Sequence, residues 1–502
     1  MDADPGTHPH PGTNIPAHSP TPTPTPTDVL VVGAGPTGLA LANELLTAGV
    51  SAVLVDRLPR RSDLSKAGGV QPRTLEAFDQ RGLLEPLLAT GDHPTASGHF
   101  AGIPLPFAAH RLPWRSVPQV VIEGFFERHL AARGLHVRRA HELTGLTQDE
   151  SGVTAAFANG AALRCRYLVA ADGAHSTVRS LLGAAFPGEP GTSTTTAADV
   201  RLDGADAVAS HTWNEDGHFA ALFPLGTDDR GRPMRRLVLG GPGQSSLPRD
   251  TPVTEDDVRR GLSTVFGARV RLLELRYARR ITNASRQAER YRHGRVFLAG
   301  DAAHVHLPLG AQGMNTGLQD AYNLGWKLGA AVHGWAPEGL LDTYHAERHP
   351  AGAAVLRNVR AQSLLMDWAG TRDPGVLAAR EIFTELAQLP DVQRHLGGLM
   401  SGMALRYPMP DLDGGHPLTG RPVPDLDLGT TRTHELLRSG RGVLLDPDDA
   451  FAKAAEPWSD RVDVAGRGAA TEPMLIRPDG YVCWAGTVGL EAALGHWFGD
   501  PR

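Results

Sequence analysis

The chain has 502 residues, 41% of them hydrophobic and 21% charged, with a formal net charge of -6. That length exceeds one compact core and predicts two or three domains, while mixed signs without a dense basic run exclude a nucleic-acid footprint. Two cysteines, Cys165 and Cys483, lie far apart and outside any CxxC spacing; they exclude a disulfide framework, a cysteine zinc site or a redox pair and read as inert core residues in a reducing cytoplasm.

Residues 1–27 carry eight prolines and a TPTPTPT run, with neither a basic n-region nor an apolar h-region. The segment reads as an extended, disordered tail and not as a signal peptide. No apolar run reaches the ~18 residues of a membrane span, so a soluble, cytoplasmic protein with no membrane or nucleic-acid partner is expected. From Asp28, DVLVV reads as a buried strand, GAGPTG as a tight turn and LALANELLTAG as a helix closed by Gly49. AVLV follows as a second strand ending on Asp56, which completes a βαβ start. CRYLVAADG (165–173) and GRVFLAGD (294–301) are two more apolar strands, each ending in Gly and Asp. Between them, from about 193 to 280, alternating segments such as HTWNEDGHFAALFPLG predict an antiparallel sheet inserted between two parts of one α/β domain. GGPGQ (240–244) has no helix after it and reads as a loop. Met314, Leu318, Ala321, Gly325, Leu328 and Val332 step by four and three, the face of a helix of about five turns. From about 411 the texture turns Pro- and Gly-rich with short strands, including MLIRPDGYVCWAG, and marks a separate C-terminal domain.

In GAGPTG, Gly33 permits the tight turn, Gly35 lets backbone approach a pyrophosphate, and Gly38 lets helix and strand pack closely. The helix N-terminus adds amide donors, and Asp56 stands where a ribose would be bonded. An ADP moiety is expected, and up to this point NAD and FAD are equal candidates. GDAAH tips the choice to FAD, because Asp301 just past a strand supplies a contact far along the longer cofactor, at a ribityl hydroxyl. Gly310 and Gly313 would let backbone lie against a flat ring, and a helix beginning near Met314 would aim its N-terminus at the ring edge that becomes anionic on reduction. On the inserted sheet, Trp213, Phe219 and Phe223 are candidates for lining a flat aromatic substrate, with ordinary core packing as the competing reading.

GAGPTG with Asp56, YLVAADGAHSTVR and RVFLAGDAAHVHLPLGAQGMNTGLQDAYNLGWKL together resemble the class A FAD-dependent aromatic hydroxylases, the group of para-hydroxybenzoate hydroxylase. Within it they are most similar to the actinomycete tailoring monooxygenases of aromatic polyketides and to the rifampicin monooxygenases. The resemblance covers about 28–350 in three ordered motifs, and the C-terminal part is similar in position to a thioredoxin-like domain. The fold it implies is α/β. A glutathione-reductase-type Rossmann-like FAD domain spans 28–192 and 281–385, with 94–118 joining the substrate side. An antiparallel-sheet substrate domain spans 193–280 and a thioredoxin-like domain 386–502.

Carried to this sequence, the resemblance implies that Thr37 touches the pyrophosphate, Arg57 the adenine side and Gln119 the ribityl or phosphate region. Lys66 stands where arginine is usual near the flavin, and Leu143 where a backbone contact to adenine is common. Asp172 and Gly173, with Ser176, Thr177 and Arg179 beside them, support FAD and the pyridine nucleotide. Asp301, Gly313, Met314 and Asn315 complete the flavin contacts, and Pro308 with Gly310 shapes the wall beside flavin C4a; no general base is assigned. Leu309 and Ala311 stand in a loop often richer in glycine, which bears on how a flavin could move past it. Asp301, His304 and His306 also fit an Asp-x-x-His-x-His metal pattern, but the flavin accounts for Asp301, so no metal is expected and His304 reads as a packing residue. The implied activity uses FAD, NADPH or NADH, and O₂ to hydroxylate an aromatic polyketide-type substrate through a C4a-hydroperoxyflavin. The alternatives are Baeyer–Villiger oxygenation of a polycyclic ketone and, from another class, a flavin-free ligand-sequestering relative. A monomer or homodimer is expected.

Overall fold

The computed structural model describes residues 27–93, 95, 98–105, 111–228, 230–243, 246–367, 372–466 and 472–502. The proline-rich tail before residue 27, Gln244 of the expected 240–244 loop and parts of the 94–118 segment lie outside the described residues.

The strand Thr27–Val32 is a run of branched apolar residues, as a strand buried on both faces requires. It pairs in parallel with Ala52–Val55 on one side and Ala162–Ala170 on the other, and Val296–Leu298 adds in parallel beyond Ala162–Ala170, with Val296 opposite Leu168. A hairpin of Leu143–Asp149 and Gly152–Phe157 extends the same sheet. The carboxyl ends of three parallel strands therefore open on one edge. GAGPTG, ADG and GDAAH become neighbours there, at the place where open α/β sheets bind ligands.

The helix expected from Met314 begins at Gln312 and runs to His333, 22 residues buried on nearly every side. It lies across the helix Pro36–Thr47, where a Cβ on Gly317 would fall 2.4 Å from Thr37 Oγ1. GRVFLAGD contributes only Val296–Leu298 as strand; Gly300–Ala302 turn as a 3-10 helix and so present Asp301 beyond the sheet.

The middle sheet has five antiparallel strands in the order His211–Trp213, Phe219–Thr227, Pro233–Gly240, Thr194–Asp203, Arg271–Thr282. Ala198, Val200, Ala220, Leu222, Leu237 and Leu239 on one face pack on the helix Glu255–Phe266, whose start is set by a capping box between Thr254 and Asp257. The other face carries Ala197, Asp199, Phe223, Arg236, Val238 and Arg279 and looks toward the dinucleotide-type sheet.

The C-terminal sheet has the order Val462–Gly466, Gly442–Asp446, Met474–Ile476, Val482–Ala485, with Met474–Ile476 antiparallel to both neighbours and the helix Leu490–Phe498 after it. Its RPDGY turn docks on the long helices through buried charges. Arg477 bonds Glu347 at 2.6 and 2.9 Å and Asp479 at 2.5 Å, and Lys327 Nζ bonds Glu347 at 2.9 Å. The helix Pro390–Ser401 falls in the region expected to be thioredoxin-like, yet Leu396 and Met400 pack with Phe100, Phe219, Leu307 and Leu309 around the middle sheet. That helix therefore finds these apolar partners upstream in the chain. Among the described residues no helix is long and apolar enough to cross a membrane.

Candidate active site

A cavity of about 800 Å³ lies between the carboxyl edge of the parallel sheet and the inward face of the middle sheet. At one end is the GAGPTG turn. Gly33 has φ +104, and a Cβ there would lie 2.3 Å from Ala171 O; one on Gly38 would lie 1.9 Å from Gly33 O. Turn, helix and neighbouring strand end thus interlock only with glycine at both places. Gly35 and Thr37 face the cavity, and Gly35 has no atom within 4 Å of its missing Cβ, so its backbone is open to a ligand. Asp56 braces this turn from behind: Oδ2 accepts Ala34 N–H at 2.8 Å and Oδ1 accepts Leu58 N–H at 2.8 Å. Asp56, exposed Arg57 and buried Leu143 lie outside the cavity lining.

Asp172 heads the short helix Thr177–Leu181, its Oδ2 accepting Val178 N–H at 3.1 Å. Burial raises its carboxyl above the usual carboxylate range, and its Oδ1 is buried with no partner among the described residues. Gly173 lines the cavity with open space before it, whereas Thr177 is exposed outside it. Arg179 donates to Ala302 O and to Ala174 O, both at 2.9 Å, tying this motif to the Gly300–Ala302 turn.

Asp301 is exposed, lines the cavity and has no bonded partner among the described residues. The group beneath it, Asp320, is assigned no role by the sequence motifs. Asp320, 0% exposed, accepts Gly300 N–H at 3.0 Å, His304 Nε2–H at 2.8 Å and Arg348 Nε–H at 2.7 Å. His304 is thus spent on Asp320. His306 donates Nδ1–H to Leu307 O at 2.8 Å and burial pushes its pKa down, so it faces the cavity as a neutral ring. Among the described residues the one His/Cys/Asp/Glu group within reach of a shared metal is Asp79, Asp425 and His434. Arg111 bonds that Asp79 at 2.6 Å and Arg432 bonds Asp425, which makes it an ion-pair cluster between domains.

Pro308, Gly310, Ala311, Gly313 and Met314 form the far wall. Gly310 and Ala311 carry the loop through left-handed conformations (φ +64 and +49), and Ala311 leads into the helix Gln312–His333 with no side chain capping its first N–H groups. Asn315 does not face the cavity. Its Oδ1 accepts Gln71 N–H at 2.9 Å, and its Nδ2 donates to Gly69 O at 2.9 Å and Ala311 O at 2.7 Å, so it fixes the helix start against the 66–71 segment. Lys66 and Gln119 line the cavity together, Gln119 Oε1 accepting Lys66 N–H at 3.3 Å.

On the substrate side Phe223 lines the cavity, while Phe219 is 2% exposed in the core and Trp213 lies under Arg380, 4.8 Å from its ring. Trp114 and His99 take the places that were expected for Trp213 and Phe219. Gly102 N–H donates to His99 Nδ1 at 3.3 Å, which leaves the proton on Nε2; burial beside His211 pushes the ring down to about 3. An aromatic and a histidine within 94–118 were the available signal, but neither sits in a recognisable motif.

These residues fit FAD. The open glycine turn suits a pyrophosphate, unpartnered Asp301 a ribityl hydroxyl, and uncapped N–H groups the edge of a ring that gains negative charge. A family profile described as "FAD binding domain" matches residues 26–359, and one described as "Aromatic-ring hydroxylase, C-terminal" matches 416–501. The chain is 42% identical over 510 residues to a 12-dehydrotetracycline 5-monooxygenase/anhydrotetracycline 6-monooxygenase of Streptomyces rimosus, covering 94% of this chain and 99% of the relative. It is 41% identical over 485 residues to a rifampicin monooxygenase of Streptomyces venezuelae, covering 94% and 98%. The solved structure of an anhydrotetracycline hydroxylase from Streptomyces rimosus superposes with a TM-score of 0.83 at 42% identity, over 95% of this chain and all of that one (100%).

Proposed function

The chain belongs to the FAD-binding aromatic-ring hydroxylase family and is a flavoprotein monooxygenase, and from that premise we propose that it hydroxylates a polycyclic aromatic substrate of the tetracycline or ansamycin kind, with NADPH or NADH as reductant. The observation that carries this reading is the single cavity joining the GAGPTG turn, Asp301 and the uncapped helix start to the aromatic-bearing face of the middle sheet. Bound FAD supplies reduction by the nicotinamide and activation of O₂. Gly35 and Thr37 would hold its pyrophosphate, Asp301 its ribityl chain and Gly313 with Met314 the pyrimidine edge. The helix N-terminus there stabilises negative charge by about 0.3–1 kcal/mol, and up to about 2 kcal/mol when partly buried. Trp114, Phe223 and Pro308 wall the space, exclude water and hold a flat ring in place. His99, kept neutral, has an Nε2–H to donate to a substrate oxygen.

The C-terminal strand order, with one antiparallel strand and a closing helix, supports the thioredoxin-like reading for residues 416–501. Its Cys483 is buried, and burial pushes the thiol well above its usual range, which does not suit redox chemistry; the buried Arg477–Glu347 bonds support a docking role for the domain. The test is NADPH oxidation by the FAD-loaded protein with anhydrotetracycline and with rifampicin. Substrate-stimulated oxidation and a product whose NMR spectrum shows a new hydroxyl are expected. A lactone would replace hydroxylation by Baeyer–Villiger oxygenation, and a colourless protein that cannot be reconstituted with FAD would overturn the reading.

A further inference from the structure

We propose that the substrate carries an oxyanion, either a carboxylate or the enolate of a β-dicarbonyl, and that Arg279 with Arg249 holds it at the rim of the middle sheet. The proposal rests on the monooxygenase reading above. Arg279 stands on Arg271–Thr282 in the row Tyr277, Arg279, Ile281, which faces the cavity, and the residue opposite it in register is Ala197, which offers no charge. Among the described residues of the middle sheet, the acid that lines the cavity is Asp199, and it is already taken: Arg236 Nε donates to Oδ1 at 2.8 Å and Nη2 to Oδ2 at 2.9 Å. Arg236, Arg249, Arg279 and Arg280 therefore line the cavity beside that carboxylate, with Arg280 Nε donating to Thr251 O at 3.1 Å; the lining's other carboxylate, Asp301, stands at the edge of the parallel sheet. Arg249 and Arg279 form no ion pair or side-chain hydrogen bond among the described residues.

Burial pulls the Arg279 guanidinium below its ordinary range, and Arg236 and Arg249 add to this while Tyr277 and Asp199 oppose it. An unpaired, partly desolvated guanidinium costs free energy in the unliganded protein. A planar oxyanion removes that cost by a two-pronged, charge-assisted bond, which arginine geometry suits. Beside Arg279, Ala197, Val238 and Phe223 form an apolar floor on which the body of a flat ring can rest while its charged edge meets the rim.

The probes are anthracene-9-carboxylate and its neutral carboxamide, titrated by fluorescence into the wild type, R279M and R279K, with Tm as the check that each variant is folded. The wild type is expected to bind the carboxylate about tenfold or more tighter than the amide, as a charge-assisted bond gives. R279M is expected to erase that preference, and R279K to restore part of it. Equal binding of both probes by the wild type would mean that Arg279 merely stacks on rings, and would overturn the proposal. So would a preference that survives in R279M, or a loss of NADPH affinity in place of carboxylate affinity, which would assign the site to nucleotide phosphates. The FAD content is read separately from the flavin absorbance, so a protein unable to take FAD would sink the monooxygenase reading, while equal probe binding by an FAD-loaded protein would sink the proposal alone.

Discussion

Replacing Asp320 by asparagine keeps its shape and removes its charge. The carboxylate is 0% exposed and joins Gly300 N–H, His304 and Arg348, while Arg348 is itself buried and also donates to Thr316 O and the Tyr407 hydroxyl, both at 3.1 Å. Taking one partner from a buried ion pair leaves the other charge uncompensated and costs about 3–5 kcal/mol. The amide oxygen of the new side chain would still accept from Gly300 N–H, so the turn carrying Asp301 is loosened rather than lost, and FAD affinity is expected to fall by less than about tenfold, the cost of losing one hydrogen bond to a charged group. Burial works against the ionised form of Asp320, but Arg348 and His304 outweigh it and hold its carboxyl below the usual range. A depressed folded pKa gives stability that is complete above the unfolded value and is lost only as pH falls through the folded one, so the deficit of the variant should be constant from about pH 6 to 8. Urea unfolding of both proteins across that range, with an FAD titration at each pH, measures both effects. A cost under about 1 kcal/mol, or a deficit that changes across the window, would refute the assignment of a buried charged pair. In the double variant Asp320→Asn/Arg348→Met the lost charge no longer strands a partner, so its cost should fall well short of the sum of the single ones.

Asp301→Ala removes an exposed, unpartnered carboxylate and should change stability by no more than about 0.5 kcal/mol while weakening FAD binding about tenfold; unaltered FAD affinity would take Asp301 out of the site. Gly38→Ala would place a Cβ 1.9 Å from Gly33 O, and is expected to cost about 1–3 kcal/mol by overpacking and to abolish FAD retention, so a yellow, fully loaded variant would count against the pyrophosphate turn. Burial pushes Lys327 down to about 8 although Glu347 pulls it up. The unfolded chain therefore holds more protons from there to the free lysine value of about 10.4, and wild-type stability should rise with pH through that window. Lys327→Met should lose this slope in denaturant melts at successive pH values, and parallel slopes would contradict the buried-ammonium account.

The parts legible in the sequence were those set by local geometry. The GAGPTG turn and the strand before it follow from glycine sterics and a short branched run, and the helix after residue 312 follows from a period of three and four. Its true start, two residues early, depends on the left-handed Ala311, which no periodicity announces. Asp320 and Lys327 were missed because they lie off the apolar stripe that marked the helix, on a second face buried by Asp342–Leu365. Their partners Glu347 and Arg348 sit side by side in a segment that reads as an ordinary charged surface, and only helix–helix register turns them into a buried network.

The middle sheet failed differently. Alternation correctly implies two faces, but both contain apolar residues, and which one meets the cavity is decided by where the helix Glu255–Phe266 lands. Phe219 and Phe223 share one alternating row, yet the first is held in a core beneath Gly240 and the second reaches the cavity. Aromatic character alone therefore could not rank them. The same placement gives Arg279 its meaning. One face of its strand packs on a helix and the other opens on the cavity with uncharged Ala197 as its cross-strand neighbour, so an anion that enters the cavity can answer the charge that Asp199, bonded to Arg236, meets only in part.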